Sequence, residues 1–371
     1  MRVEALDVFA VRVKTDAKLV AGPFAYPSYQ TVLVRVECDG KVGWGEAMTR
    51  ISLGATTSIL KEYFVPLLRD LRFEAPAEAW RSLWRALRVR GQTRGVAVEA
   101  LSAIELALWD CYGKLRGRPL RDLLSRESRD RVPCYAGSIF ESRGSLEGQA
   151  AVVESLGIDK VKVKVGFGVE RDRALLSRFR KIWPGGLIAD ANGAYDRDEA
   201  LAAAEAFRSF DLSWFEEPAP GDDHDTYREL ARHHYVPVGA GETWFVEDFT
   251  RPIQERLVDV VQPSVSRCGG IGVAWEVSRL SARHGIAFSP MVGMNSSISL
   301  AASIQLASAS SNPAEVEYDP FGNPLVEGLT PGFPELKSGR IVVGRGEGLG
   351  VDVDMAFLRK HLVEHSSTRY T

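Results

Sequence analysis

The chain has 371 residues, 45% of them apolar, and its 46 basic and 49 acidic side chains leave a formal net charge of −3. That length exceeds one typical domain, and the near balance of charge argues against a nucleic-acid or anionic membrane surface as partner. Cys38, Cys111, Cys134 and Cys268 show no paired spacing, no apolar run approaches a membrane span and no signal peptide opens the chain, so a reduced, cytoplasmic protein is expected.

Residues 1–46 read as strands: VEALDVFAVRV, TVLVRVECDG and KVGWGEA alternate apolar and polar residues, and Asp39-Gly40 is a hairpin signal. Between the first two strands lies AGPFAYPSYQ (21–30). Its glycine and prolines and the aromatics Phe24, Tyr26 and Tyr29 predict a mobile lid that shields a site and contacts substrate. Helical spacing takes over across 57–126, with Gly-Arg-Pro at 117–119 as a stop, so residues 1–127 form an α+β domain. From about 132 strands and helices alternate. Eight strands are expected, at 132–137, 160–165, 187–191, 213–216, 236–240, 258–262, 286–289 and 314–317, and residues 128–324 form a closed barrel. Residues 325–371, ending in a short helix, return to the first domain.

Lys164, Asp190, Glu216 and Glu242 follow one another at steps of 26 residues, and each closes a short apolar run. One strand, loop and helix produce such a period in a (β/α) barrel, whose chemistry sits where strands end. Two glutamates and one aspartate without His or Cys make a hard oxygen site suited to Mg²⁺, with Mn²⁺ as the alternative, and the lysine stands beside it as a base.

With VGWGEA (42–47), SAIELALWDCYGK, KVK (162–164), DAN (190–192), FEEP (215–218), GE (241–242), CGGI (268–271) and EGLGVDVD, the chain resembles the enolase superfamily, in its mandelate racemase and muconate lactonising enzyme branch. KVGFGVE, WFEEP and GETW look like the members that handle acid sugars and sugar-diacid lactones. The resemblance implies an N-terminal α+β capping domain over a TIM-like (β/α)₇β barrel, in a homo-oligomer. It implies Mg²⁺ on Asp190, Glu216 and Glu242, with Asn192 and Glu217 behind them. It also implies a shared first step, removal of the proton α to a carboxylate to give an enediolate.

Residues two apart on a strand face the same side, so Lys162 and Lys164 point into the barrel together, where like charge and a cation are expected to depress the lysine pKa. Lys164 is the expected base, and Lys162 tunes it and contacts the substrate carboxylate. At the positions where relatives carry a second acid/base this chain has Ser264 and Met291, and none of its six histidines falls at a predicted strand end. Racemisation needs two bases; one lysine suffices for a syn elimination. Glu317 is placed to hydrogen-bond the enediolate or assist the leaving group. Arg267 is a candidate for a distal carboxylate, and Ser264 for a donor to substrate. The expected reaction is dehydration of an acid sugar. Cycloisomerisation of a sugar-diacid lactone, racemisation, and a metal-binding barrel without turnover are the alternatives.

Overall fold

The computed structural model describes all residues except 22–23, 313–314 and 371, and the side chains of 16–19, 21, 24, 26 and 138 within strands. The alternating N-terminal segments form β1 (Val3–Ala21), β2 (Phe24–Cys38) and β3 (Lys41–Met48). Asp39 and Gly40, both at positive φ (47° and 73°), make the tight β2–β3 turn. The final helix, Met355–Lys360, is followed by one more strand, Leu362–Arg369, which runs antiparallel to β1 and completes a four-stranded sheet.

The lid prediction needs correction. Tyr26, Ala25 and Phe24 pair with Leu19, Val20 and Ala21, so 24–30 continue β2 and the hairpin reaches Ala21. Only β1 pairs with this part of β2, and Pro27 falls at a register shift on the open side, where its missing N–H costs no ladder bond. The side chains of Phe24 and Tyr26 lie outside the described residues. Tyr29 is buried.

β3 lies directly on the helix Val96–Leu115. A β-carbon on Gly45 would come 1.8 Å from the Ala103 carbonyl oxygen, and one on Gly43 2.1 Å from that of Ala107, so the Gly-Trp-Gly spacing is what allows the contact.

The second sheet is the barrel. Its eight parallel strands are β4 (Arg131–Ile139), β5 (Lys160–Lys164), β6 (Gly186–Asp190), β7 (Leu212–Glu216), β8 (Val238–Ala240), β9 (Val260–Val261), β10 (Ala287–Phe288) and β11 (Val316–Tyr318). Neighbours pair in chain order and β11 pairs back onto β4. A helix crosses over in each of the seven gaps. All eight predicted strands are present, several shorter than expected. Their apolar runs are continuous because helices cover one face and the barrel interior the other.

Two carboxylates from the N-terminal part seat it on barrel helices. Glu46 of β3 accepts from the Ser296 and Ser299 N–H groups (2.7 and 3.0 Å), the Ser296 hydroxyl (2.7 Å) and the Thr31 hydroxyl (2.7 Å), at the start of helix Ser297–Ala309. Glu105 accepts from Ile271 N–H (2.7 Å), Gly272 N–H (2.8 Å) and Trp109 Nε1 (2.7 Å), at the start of helix Ile271–His284. Both place carboxyl oxygens on orphan N–H groups at a helix start.

Candidate active site

The 26-residue period becomes a lateral alignment. Lys164 pairs with Asp190 across β5 and β6, and Asp190 with Glu216 across β6 and β7. The fourth member departs from it: Glu242 lies two residues beyond β8, half-buried, and is tied back by Asn192, whose Nδ2 donates to Glu242 Oε1 at 3.1 Å.

Lys162 is the hub. Its ammonium lies 2.8 Å from Glu216 Oε1, 2.9 Å from Glu317 Oε1 and 3.4 Å from Asp190 Oδ2, over the Tyr135 ring at 5.6 Å. Lys164 donates to Asp190 and, at 3.0 Å, to Asn192 Oδ1. Glu216 also accepts from Trp214 Nε1 (3.0 Å) and Gln262 Nε2 (2.8 Å), and Glu317 from Gly293 N–H (2.7 Å). Trp214 and Gln262 were missed by sequence reasoning. The available signal was strand alternation, which puts Trp214 on the face of Glu216, and the place of Gln262 at the end of its apolar run. Glu217 sits at φ 38°, unusual for a residue with a β-carbon, and its carboxylate is held by Thr243 N–H (3.1 Å) and hydroxyl (2.9 Å).

The electrostatics follow from the balance of buried acids and lysines. Burial pulls both lysine ammonium groups down, but the surrounding carboxylates outweigh it. Lys162 is held well above an ordinary lysine by Glu216, Glu317 and Asp190, and Lys164 is raised chiefly by Asp190. Among the protein's own groups the acids outnumber the lysines; the depression expected from the sequence rested on the paired ammonium groups together with a bound cation. Asp190 and Glu317 are buried yet held low by the lysines. Burial, with Asp190, Glu317 and Glu242, pushes Glu216 up to about 7 in spite of Lys162. Burial and Glu242 push Glu217 up to about 8.

Asp190, Glu216, Glu242 and Glu317 against Lys162 and Lys164 amount to a formal −2. One divalent cation supplies that deficit, and the donors are hard oxygens, so the residues fit Mg²⁺. Among the described residues no three acids are already drawn into a cage, because the lysine ammonium groups bridge them.

Across the barrel from β5, at the end of β9, Ser264 is buried and its hydroxyl lies 3.3 Å from that of Ser266. It is bridged to the equally buried Met291. Arg267 lies 3.3 Å from Glu99 of helix Val96–Leu115 and over the Phe245 ring at 5.2 Å. No histidine stands at a barrel strand end: His224, His233, His234 and His284 belong to or end helices, and His361 and His365 lie in the C-terminal segment. On the other flank Tyr29 packs near Arg143 and Asp319. Arg143 lies 3.8 Å from Asp319 and over the Phe321 ring at 4.7 Å. Burial and Asp319 push the Tyr29 phenol up to about 12, and burial, opposed by Arg143, pushes Asp319 up to about 6.

Comparison with known proteins agrees with this architecture. The mandelate racemase / muconate lactonizing enzyme N-terminal domain matches residues 7–125, and the enolase C-terminal domain-like family matches residues 146–357. The chain is 30% identical to D-galactarolactone cycloisomerase of Agrobacterium fabrum, over 95% of this chain and 97% of that protein. It is 27% identical to arabinonate dehydratase of Saccharolobus solfataricus, over 91% and 92%. In structure it is similar to 3,6-anhydro-D-galactonate cycloisomerase from Zobellia galactanivorans, with a TM-score of 0.87, 28% identity, and coverage of 98% and 100%.

Proposed function

The chain belongs to the mandelate racemase / muconate lactonizing enzyme family, as an enolase-superfamily lyase or isomerase, and from that premise we propose that it dehydrates an acid sugar by one-base chemistry. The observation that carries the reading is the asymmetry of the barrel mouth. Lys164 and its acids stand in register on one side, and the other side presents Ser264 and Met291, which move no proton from carbon at neutral pH. The capping role falls to residues 1–127, the chemistry to 128–324, and the return of the chain to the cap to 325–371.

Asp190, Glu216 and Glu242 would hold Mg²⁺, with Asn192 and Glu217 fixing Asp190 and Glu242 from behind. When bound, that ion supplies the fixed positive charge that an enediolate needs in a water-poor site. The acids that hold Lys164 protonated are the ones this role engages, so the field on Lys164 falls and its amine becomes available as base. Neutral Lys164 takes the α-proton. Its ammonium then returns that proton to the β-hydroxyl, which leaves as water as the Cα–Cβ double bond forms. Lys162 holds the substrate carboxylate, and Glu317, 2.9 Å from it, positions that ammonium and stands where it can assist the leaving group. A lactone cycloisomerase would share the first step, and the Agrobacterium and Zobellia relatives support that as the second reading.

The test is α-proton exchange in D₂O with Mg²⁺ over a panel of acid sugars, followed by NMR. Lys164→Ala should lose exchange by roughly 10²–10⁴-fold, the usual scale of a general base. Exchange should come from one face only. Interconversion of both α-epimers would replace this reading with an epimerase.

A further inference from the structure

Two residues that the chemistry above does not use join the loop after Lys164 to the loop after Asp190. Asp172 lies in helix Val169–Ile182, near its start, and is fully buried. One of its oxygens, Oδ2, accepts from the N–H groups of Gly166 (2.9 Å) and Phe167 (2.8 Å), the second and third residues after Lys164, and from the hydroxyl of Tyr195. The other, Oδ1, is buried with no hydrogen-bond partner among the described residues. Tyr195 is buried as well, three residues past Asn192 on the loop after β6, with its ring against Phe215 at 6.2 Å.

The two loops interlock around this bond. Val165 N–H donates to the Asp190 carbonyl at 2.9 Å. Gly166, at φ 94°, leaves the space that the second loop occupies: a β-carbon there would come 2.9 Å from the Ala191 carbonyl oxygen and 2.9 Å from the Ala194 β-carbon. Asn192 and Gly193, at φ 48° and 70°, turn that loop, and the Gly193 and Tyr195 N–H groups donate onward to the Glu217 and Pro218 carbonyls at 2.7 and 3.3 Å. Lys164 touches Asp190 and Asn192 across the same seam. A carboxylate that crowds three donors onto one oxygen and orphans the other is poorly arranged for stability alone. What the arrangement fixes is the spacing of the two loops. Resting on the function proposed above, we infer that Asp172 and Tyr195 are positioning residues, whose bond sets where Lys164 stands relative to Asp190 and Asn192. A base misplaced by about 1 Å loses on the order of 10²-fold in rate, while substrate binding made by other groups is left alone.

Tyr195→Phe removes one oxygen and keeps the ring. The kcat of α-proton exchange in this variant, measured well below its melting transition, should fall roughly 10- to 100-fold, with KM within about twofold of the wild type. Asp172→Asn, which keeps an acceptor oxygen for the same three donors, should retain most of the rate that Asp172→Ala loses. Adding Tyr195→Phe to Asp172→Ala should slow exchange no further, since both break one bond. Mg²⁺ titration by calorimetry needs no turnover. It should show several-fold weaker affinity in Tyr195→Phe, because Asp190 and Asn192 lie on the tied loop. A lowered melting temperature with kcat and Mg²⁺ affinity unchanged would overturn the inference and make the bond a structural strap. So would a change in KM alone, or losses that multiply in the double variant. The two readings fail separately: weakened Mg²⁺ binding in Tyr195→Phe without α-proton exchange in the wild type keeps the tie and sinks the dehydratase, and wild-type exchange that Tyr195→Phe leaves untouched does the reverse.

Discussion

Lys162 carries more of this site than any other single side chain, because three buried carboxylates converge on one ammonium. Its replacement by methionine keeps volume and removes the charge. Acids left without a partner in a low-dielectric site cost about 3–5 kcal/mol. Lys162→Met should lose that much stability without metal, read from urea denaturation. Added Mg²⁺ should restore a larger share of stability to the variant than to the wild type. Glu216 stands at the other end of the same balance. Glu216→Gln removes one hard-oxygen charge while the Trp214 and Gln262 donors keep their acceptor, so Mg²⁺ affinity in calorimetry should fall at least tenfold with little change in melting temperature. Wild-type affinity in this variant would remove Glu216 from the ligand set. Ser264→Ala should leave α-proton exchange within a few-fold, since its hydroxyl bonds to Ser266 and Met48 Sδ.

At the scale of elements, the cap is seated on the barrel by side chains that finish helix ends. Glu105 is buried beneath helix Ile271–His284, and burial pushes its carboxyl from an ordinary 4.5 up to about 7, against the hydrogen bonds from Gly272, Ile271 and Trp109. A raised folded-state pKa means the native protein holds this proton more tightly than the unfolded chain. The stability Glu105 contributes is therefore greatest in acid, declines as pH rises from about 4.5 to about 7, and is flat above that. The loss is on the order of 3 kcal/mol over that window at about 1.4 kcal/mol per unit. Denaturation at pH 5 and pH 8 should show that part of the slope in the wild type and not in Glu105→Gln. Identical slopes would show that Glu105 does not titrate there. Glu46 fills the start of helix Ser297–Ala309 with hydrogen bonds of the same kind. Glu46→Ala strands several buried donors and should cost about 3 kcal/mol.

For the whole molecule, the chain's two ends meet in one sheet. The strand Leu362–Arg369 covers the outer edge of β1 over Ala5–Val11, and removing it would bare a long row of unpaired N–H and C=O groups. A chain stopped at Lys360 should keep its barrel fold by circular dichroism and aggregate at concentrations where the full chain does not, measured by light scattering. Equal solubility would mean that this edge is protected in some other way.

Much of this was legible in the sequence, because a strand-end site repeats with the period of the barrel unit. The 26-residue spacing of Lys164, Asp190 and Glu216 needed only local periodicity to be read, and it became strand-to-strand register. The eight strands and the Asp39-Gly40 turn followed from the same one-dimensional signals. Three matters were decided only by the tertiary structure. Residues 24–30 extend a hairpin because β1 offers them a partner, and Gly and Pro composition does not report a partner distant in the chain. The protein's own groups hold the two lysines up because acids as far as 155 residues away in sequence, Glu317 from Lys162, meet the ammonium groups, and charge balance is a sum over space. Tyr195 reaches Asp172 because Gly166 leaves room for the loop that carries it, and no spacing along the chain encodes that meeting.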